Sequence, residues 1–516
     1  MFRRRTPYLA SSRPQSSPAR ATLMLAAAAI GFAPYVQASE VDHTALYTKV
    51  DQIFADYAID QHIPGMVYGI VADGKLIYVR GVGVQDLESK RPVTPDTLFR
   101  IASMSKAFTA LTVLKLRDAG KLQLDAPAEN YVPEMKNWTY PTQDAPRIRV
   151  RDLLNHSAGF VTDDPWGDRQ QLLPEPAFTQ LLRAGVPFNN APGVTMEYSN
   201  LGYALLGRII TNTSGRPYAQ TISATLMQPL GMGSTGYDAD AAPRERRAQG
   251  YHWADNTWTQ VPTMAHGAFG AMGGVQTSAV DYAKWMAYLL SAWPARDGID
   301  SGPVQRATVR EMAQGSNFPA LRPRFGHTAT ENCRQAATYG MGLIMAVDCE
   351  LGLTLNHGGG YPGYGSHMLL LPDKGVGIFA FTNRHYSGSS APVWDTAVLL
   401  KKADFYKVRA APVSKALAAA YVHAGTIYRQ GEVANAGDVL AMNFLLDRDA
   451  AGWGRDLAKL KAAVGDCDTS APLNPNGALV GGFTWRCARG RVTGEVLLTP
   501  TTPARIQALR LQQKAP

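Results

Sequence analysis

The segment Phe99-Arg-Ile-Ala-Ser-Met-Ser-Lys-Ala-Phe108 places a serine, Ser103, three residues before a lysine, Lys106. The residue pattern predicts a long helix from Phe99 to Ala119, ended by Gly120. Positions i and i+3 share one face of a helix, so the Lys106 amine would reach the Ser103 hydroxyl. A serine hydroxyl becomes a nucleophile when a base takes its proton, and lysine can be that base once its pKa is lowered. The four-residue pattern is weak evidence alone, because a serine here is also a common helix N-cap.

Two further motifs follow downstream. Tyr198-Ser199-Asn200 provides a phenol that could transfer a proton and a side-chain amide that could hydrogen-bond a substrate. The alternative is a turn followed by a helix N-cap at Asn200. His357-Gly-Gly-Gly360 is predicted at a strand edge, where glycines let a ligand approach the backbone. The alternative for this motif is a flexible loop with one solvated histidine. A lipase interpretation requires a later Gly-x-Ser-x-Gly nucleophile elbow, which the sequence lacks.

The pattern of apolar runs indicates the architecture. Asp73-Gly74 lies between two β-rich runs and predicts a hairpin. Helical patterns fill the middle of the chain, and short apolar runs return at 341–347, 353–356, 366–371 and 376–382. Because strands come from both ends, we expect one antiparallel sheet covered by helices, with a helical subdomain inserted between them.

In this order and at these separations, the three motifs resemble those of the serine β-lactamase and penicillin-binding family. That family includes D-alanyl-D-alanine carboxypeptidases, class C β-lactamases and related esterases. The resemblance extends over about residues 43–400 and includes the blocks Leu122–Pro127, Val150–Gly159, Tyr198–Gly207 and Pro229–Met232. It implies a three-layer α/β (α+β) fold, in which a central antiparallel sheet is flanked by helices and carries an inserted helical subdomain.

The resemblance also implies a role for each motif residue. Ser103 would attack an acyl carbonyl, and Lys106 and Tyr198 would handle the proton. The backbone N–H groups of Ser103 and Gly360 would form the oxyanion hole. The implied substrate-binding residues are Asn200, His357, Gly359 and Gly360. No metal or cofactor is implied.

The implied activity is that of an exported serine hydrolase acting through an acyl-serine on a peptide, amide or ester. A D-amino-acid peptidase of the carboxypeptidase type, or an esterase, is the first expectation. A β-lactamase and a non-turnover acyl-binding sensor are the alternatives, and the sequence does not separate hydrolysis from acyl transfer. We expect a small-molecule or peptide substrate, and the sequence leaves the oligomeric state open.

The sequence departs from the family pattern in the charged residues expected at the substrate site. Many members carry lysine where this chain has His357, and a histidine is largely neutral at pH 7. The segment Tyr386–Pro392 lacks the polar and basic residues with which class C β-lactamases bind a carboxylate, which makes a dedicated β-lactamase less favoured. Arg384 is a nearby cation that could substitute.

The N-terminus predicts export. Residues 1–38 have the pattern of a signal peptide: basic residues precede the apolar run Leu23–Ala33, and Val36-Gln-Ala38 resembles a cleavage site. The apolar run is short of the roughly 20 residues that a spanning helix needs, so we expect no stable membrane span after cleavage, an uncleaved anchor being the alternative. The mature chain would be periplasmic or secreted.

Charge and cysteine content restrict the remaining possibilities. The net charge of +9 includes five arginines of the N-terminal segment. Without them the remaining charge, about +4, is too small and dispersed to indicate nucleic-acid binding. The four cysteines suggest disulfides in an exported protein, and proximity favours the pairs Cys333–Cys349 and Cys467–Cys487.

The last hundred residues predict a separate small domain. Residues 39–408 would form the hydrolase domain and residues 413–516 a small α+β accessory domain. A helical pattern runs from Lys415 to Arg448, and strand patterns follow at 483–487, 492–498 and 506–511. The segments Gly482–Cys487 and Ile506–Leu511 resemble a cystatin-like accessory domain attached to some family members.

Overall fold

The computed structural model describes five stretches of the chain, residues 43–162, 167–168, 171–317, 320–326 and 333–514. The predicted signal peptide lies outside the described residues. Among the described helices none is both long enough and apolar enough to cross a membrane. Both cysteine pairs favoured by proximity, Cys333–Cys349 and Cys467–Cys487, form disulfides, as predicted.

The described residues form the following helices and strands. The helices are α1 Thr44–Asp60, α2 Lys106–Asp118, α3 Val150–Leu154, α4 Glu175–Ala184, α5 Asn200–Ser214, α6 Tyr218–Ile222, α7 Gly270–Gly273, α8 Ala279–Leu290, α9 Arg306–Glu311, α10 Ser390–Lys402, α11 Lys415–Gln430 and α12 Ala450–Val464. The strands are β1 Gly65–Ala72, β2 Lys75–Gly83, β3 Phe99–Arg100, β4 Tyr251–Ala254, β5 Thr257–Gln260, β6 Gln276–Thr277, β7 Ala320–Pro323, β8 Arg334–Tyr339, β9 Ile344–Asp348, β10 Gly352–Tyr361, β11 Tyr364–Leu371, β12 Val376–Thr382, β13 Cys467–Asp468, β14 Asn474–Pro475, β15 Val480–Cys487, β16 Gly490–Leu498 and β17 Ile506–Lys514.

One antiparallel sheet of eight strands organises the larger part of the molecule. Its order is β2-β1-β12-β11-β10-β9-β8-β7, so strands from both ends of the region meet where β1 pairs with β12. The hairpin predicted at Asp73-Gly74 joins β1 to β2. The predicted central antiparallel sheet with helices on its faces is therefore confirmed.

The central strands β11 and β12 are buried on both faces of the sheet, and side chains along a strand alternate between these faces. On β12, Phe379 and Phe381 pack into the cluster that includes α2, α5 and α8. Ile378 and Ala380 of the same strand pack into a second cluster with α1 and α10. This explains why β12 reads as an unbroken apolar run in the sequence, and it gives the sheet two helical layers.

The helix predicted from Phe99 begins later than expected. Phe99 and Arg100 instead form β3, which pairs with β6. Ala102 has a φ of +49°, which no right-handed helix allows, so a helix from Phe99 cannot continue through it. A 3₁₀ turn up to Ser105 comes next, and α2 begins at Lys106. Ser103 and Lys106 keep their common face, because a 3₁₀ turn has three residues per turn.

Two strand predictions are wrong in detail. The run predicted at 341–347 is a turn followed by β9, and β8 before it was not predicted. The run predicted at 353–356 continues as β10 through the glycine motif to Tyr361. Strand β9 pairs with β10 only as far as Asn356, so His357–Gly360 have β11 on one side and no described strand on the other. The predicted strand edge at the glycines is thus present.

The C-terminal part has its own sheet and core. Strands β13 to β17 form a five-stranded antiparallel sheet, and α11 packs against it with a cluster around Trp485. The helix predicted over 415–448 ends at Gln430, because Gly431 adopts a left-handed C-cap. A second helix, α12, follows instead, with the Asp449 side chain accepting a hydrogen bond from the backbone N–H of Gly452. The boundaries proposed at 408 and 413 stay a prediction.

Replacing Trp485 tests the separateness of this second core. Trp485 is fully buried and contacts Phe483, Tyr421 and Tyr428. Trp485→Ala should cost about 3–5 kcal/mol through the cavity it leaves. Hydrogen exchange measured by mass spectrometry should accelerate in 415–514 and stay unchanged in α2 and α8. Val422→Ala, an exposed position on α11, is the control. Equal acceleration in α2 and α8 would show that the chain unfolds as one unit.

Candidate active site

The Lys106 side chain joins three parts of the structure. It is fully buried, and its amine donates hydrogen bonds to Ser103 Oγ at 3.1 Å, Asn200 Oδ1 at 2.7 Å and the Met272 carbonyl at 2.8 Å. A buried ammonium is costly unless acceptors surround it, and these contacts supply three. The tertiary structure therefore brings together the serine and lysine of the first motif and the asparagine of the second.

The N-cap alternatives for the motif residues are wrong. The residue before α2 is Ser105, and its Oγ accepts a hydrogen bond from the backbone N–H of Val275. The N-cap of α5 is Ser199, whose side chain accepts a hydrogen bond from the backbone N–H of Gly202. Asn200 is the first residue inside the helix, and its amide carbonyl is directed at Lys106.

Tyr198 lies against the same amine. The Lys106 Nζ atom is 4.9 Å from the centroid of the Tyr198 ring and 5.4 Å from that of Tyr203, within the range of cation–π attraction. Tyr198, Ser103, Asn200 and Gly360 line one cavity of about 180 Å³. The cavity wall also includes Tyr361, Tyr386 and Asp168, and the Tyr386 hydroxyl donates to the Asp168 carboxylate.

Strand β10 approaches the nucleophile turn so closely that Gly359 has no room for a side chain. A Cβ there would lie 2.4 Å from the Ile101 carbonyl oxygen and 2.3 Å from Ser366 Oγ. Ser366 itself donates to that carbonyl at 2.9 Å. Gly359 thus fixes the spacing between strand and serine and is absent from the described cavity lining, whereas Gly360 lines it.

His357 is not among the described residues that line this cavity. Its Nδ1 is 2.6 Å from the Gly358 carbonyl and its Nε2 is 3.0 Å from the Tyr339 hydroxyl. A carbonyl only accepts, so Nδ1 carries the proton and Nε2 accepts from the tyrosine. Burial, together with the charge of Lys106, lowers the pKa of His357 to about 4. His357 is therefore neutral at pH 7 and supplies no charge to a substrate; Arg384 is likewise absent from the described lining.

His156 is a buried residue of the site that sequence reasoning missed. Its ring centroid is 4.3 Å from that of Tyr198, its Nδ1 accepts the Ser199 N–H at 3.1 Å, and its carbonyl accepts the Glu197 N–H at 2.8 Å. It therefore holds the chain on both sides of Tyr198. Burial, together with the charge of Lys106, keeps its pKa well below the usual value. The only sequence signal was its place in the block Val150–Gly159; its φ of +62° is invisible in the sequence.

Comparison with known protein families gives a single clear result. The model of the family described as Beta-lactamase matches residues 50–403, which is more than half of the chain. The chain belongs to the beta-lactamase family. It is accordingly a serine hydrolase of the beta-lactamase, DD-peptidase and esterase group.

One relative and two solved structures are similar to this chain. The esterase EstB of Burkholderia gladioli is 28% identical over 382 residues, which cover 69% of this chain and 95% of the esterase. Two solved structures share the fold. A class C beta-lactamase has a TM-score of 0.56 at 21% identity, covering 72% of this chain and 99% of its own. The D-alanine carboxypeptidase AmpC of Burkholderia cenocepacia has a TM-score of 0.55 at 22% identity, covering 70% and 100%.

Gly359→Ala tests the close approach of β10 in this beta-lactamase-family protein. The new methyl group would overlap backbone as well as side-chain atoms, so the strand must move away from the serine turn. We expect a loss of about 1–3 kcal/mol in the free energy of unfolding. Hydrolysis of p-nitrophenyl acetate should fall sharply. Gly233→Ala is the matched control, because a Cβ there meets no atom within 4 Å. Wild-type hydrolysis by Gly359→Ala would contradict the proposed spacing role.

The buried histidines predict acid sensitivity. The pKa of His357 is lowered to about 4 and that of His367 to about 3, mainly by burial, so between these values and 6.5 the unfolded chain binds more protons than the native one. The free energy of unfolding should therefore fall as the pH falls below about 6.5, by up to about 1.4 kcal/mol per pH unit per histidine. Urea unfolding between pH 7.5 and 4.5 measures this slope.

Variants assign the slope to particular residues. His357→Gln should make the pH dependence shallower, whereas His423→Gln, at an exposed position on α11, should leave it unchanged. An identical slope in His357→Gln and the wild type would show that His357 is not neutral in the native state.

Proposed function

We propose that the protein is an exported hydrolase that forms an acyl-serine on Ser103 and acts on a peptide, amide or ester. The observation that supports this most is the 3.1 Å contact between the Lys106 amine and Ser103 Oγ, inside a cavity lined by Tyr198 and Asn200. The predicted signal peptide and the two disulfides support export.

The contacts of Lys106 suggest how the proton moves. Ser103 Oγ, Asn200 Oδ1 and the Met272 carbonyl are acceptors, which is the environment of a protonated amine. A protonated amine cannot take the serine proton, so we assign that step to Tyr198 in its phenolate form, whose negative charge the Lys106 ammonium stabilises. His156 keeps the Tyr198 ring in place through its stacking and the Ser199 N–H contact.

The remaining steps follow from acyl-transfer chemistry. Ser103 Oγ forms a bond to the carbonyl carbon, and the backbone N–H groups of Ser103 and Gly360 stabilise the oxyanion. Each such donor is typically worth a factor of about 100–1000 in rate. The bond to the leaving group breaks and the departing group takes the proton. Water then attacks the acyl-serine, with Tyr198 as its activator, and the proton returns to Ser103.

Two substrate types are supported by different relatives. The relative named as an esterase aligns over nearly its whole length, which supports ester hydrolysis. The neighbour named as a D-alanine carboxypeptidase shares the fold, and we propose D-amino-acid peptidase activity on that analogy. A β-lactamase is less favoured, because His357 is buried and neutral where that activity draws on a lysine charge.

Ser103→Ala tests the nucleophile. We expect hydrolysis of p-nitrophenyl acetate to fall at least about a thousand-fold, because the bond-forming atom is removed. The thermal unfolding midpoint should change little. Ser301→Ala, an exposed serine, is the control and should keep wild-type turnover. Unchanged turnover in Ser103→Ala would refute the assignment.

Intact-protein mass spectrometry separates an enzyme from a sensor. A hydrolase should show an acyl adduct on mixing with the ester that disappears as the substrate is consumed. A stable, stoichiometric adduct that outlasts the substrate would instead favour the non-turnover acyl-binding alternative.

A further inference from the structure

Tyr339, the last residue of β8, is buried beside the proposed proton carrier. Its ring stands edge-on to the Tyr198 ring, with the centroids 6.2 Å apart, and edge-on to the His156 ring at 4.4 Å. His156 in turn packs against Tyr198 at 4.3 Å. Aromatic rings at such separations hold one another in preferred orientations. The position of Tyr339 therefore affects the Tyr198 ring both directly and through His156.

The Tyr339 hydroxyl is held by the third motif. His357 Nδ1 donates its proton to the Gly358 carbonyl, so Nε2 has a lone pair, and the Tyr339 hydroxyl donates to it at 3.0 Å. The lysine that the family pattern predicts at this position has three donors and no acceptor, so it could not take this hydrogen bond. A buried, neutral histidine can take it.

This hydrogen bond lies where the backbone pairing of the sheet ends. The last paired row across β8, β9 and β10 consists of Tyr339, Ile344 and Asn356. His357 is the next residue of β10, and no described strand pairs with it on that side. The side-chain bond from Tyr339 to His357 therefore links β8 to β10 just past the paired rows. It fixes the Tyr339 ring relative to the strand that carries the glycine motif.

The groups that surround Tyr198 leave it as the tyrosine that can ionise. The titratable side chains in ring or charge contact with it are Lys106, His156, Tyr203, Tyr339 and His357. Across the cavity, the Asp168 carboxylate accepts from Tyr386. Burial raises the pKa of Tyr203 and Tyr339 above the usual value and lowers that of the two histidines. At pH 7 the proposed phenolate is thus in contact with one ammonium and four neutral side chains.

We propose that Tyr339 is a positioning residue, and that its hydrogen bond to His357 holds the Tyr198 ring against the Lys106 ammonium. This rests on the proposed function, which assigns proton transfer to Tyr198. His357 then serves the reaction as the acceptor for Tyr339 and not as a charge for the substrate. A phenol that moves away from a cation ionises at higher pH, so losing this hydrogen bond should change the pH dependence of turnover.

Tyr339→Phe removes the hydroxyl and keeps the ring. The measurement is kcat/KM for p-nitrophenyl acetate from about pH 6.5 to 9.5, corrected for hydrolysis by buffer alone, because this profile reports the groups of the free enzyme. We expect kcat/KM to fall about ten- to a hundred-fold, as for other small misplacements of a reacting group. The pH of half-maximal kcat/KM should rise by about half a unit to one unit, because the phenolate is held less closely to Lys106.

Matched variants separate positioning from the cost of losing any buried hydroxyl. Tyr288→Phe on α8 removes a buried hydroxyl that donates to the Val304 carbonyl at 3.0 Å, and it should leave the pH of half-maximal kcat/KM unchanged. His357→Leu removes the acceptor and should reproduce the shift of Tyr339→Phe. His357→Gln keeps a side-chain carbonyl as acceptor and should restore part of the wild-type profile. Combining His357→Leu with Tyr339→Phe should add little, because both remove the same hydrogen bond.

The outcomes are distinguishable. A fall in kcat/KM with no shift in pH, as in Tyr288→Phe, would leave Tyr339 a structural role only and overturn the inference. Wild-type kinetics in Tyr339→Phe would overturn it as well. If Tyr339→Phe does not fold, identical profiles for His357→Leu and His357→Gln would decide against it. Persistent ester turnover in Ser103→Ala or in Tyr198→Phe would instead overturn the proposed function.

Discussion

The arrangement of the site depends on one buried amine. Lys106 has no solvent to stabilise its charge, so the fold must supply acceptors, and they come from the serine turn, from the start of α5 and from α7. These elements are far apart in the sequence. Satisfying one ammonium therefore fixes the position of the proposed nucleophile relative to the second motif, and it places Tyr198 beside the same charge.

A second constraint comes from backbone contact. Strand β10 lies against the turn before Ser103, with Gly359 packed on the Ile101 carbonyl. The absence of a side chain at Gly359 lets the strand come close. Beyond Asn356 no described strand pairs with this side of β10, and Gly360 lines the cavity. The sheet and the helical layer therefore meet beside Ser103. The close contact that packs them together also positions the proposed nucleophile.

The distribution of charge around the site differs from the one that the motifs predict. His357 is neutral because it is buried beside Lys106, so the motif position itself carries no cation.

The motifs, the central sheet and the disulfide pairs could be predicted from the sequence, because hydrophobic periodicity, turn residues and the order of motifs are features of the chain itself. It misplaced the helix start at Phe99 and the helix end after Gln430, where a positive φ at Ala102 and a glycine cap decide the boundary. The neutral form of His357 and the support of Tyr198 by His156 could not be read from the sequence and follow from the packing. Burial and side-chain contacts depend on which distant residues pack together, and no local pattern records that.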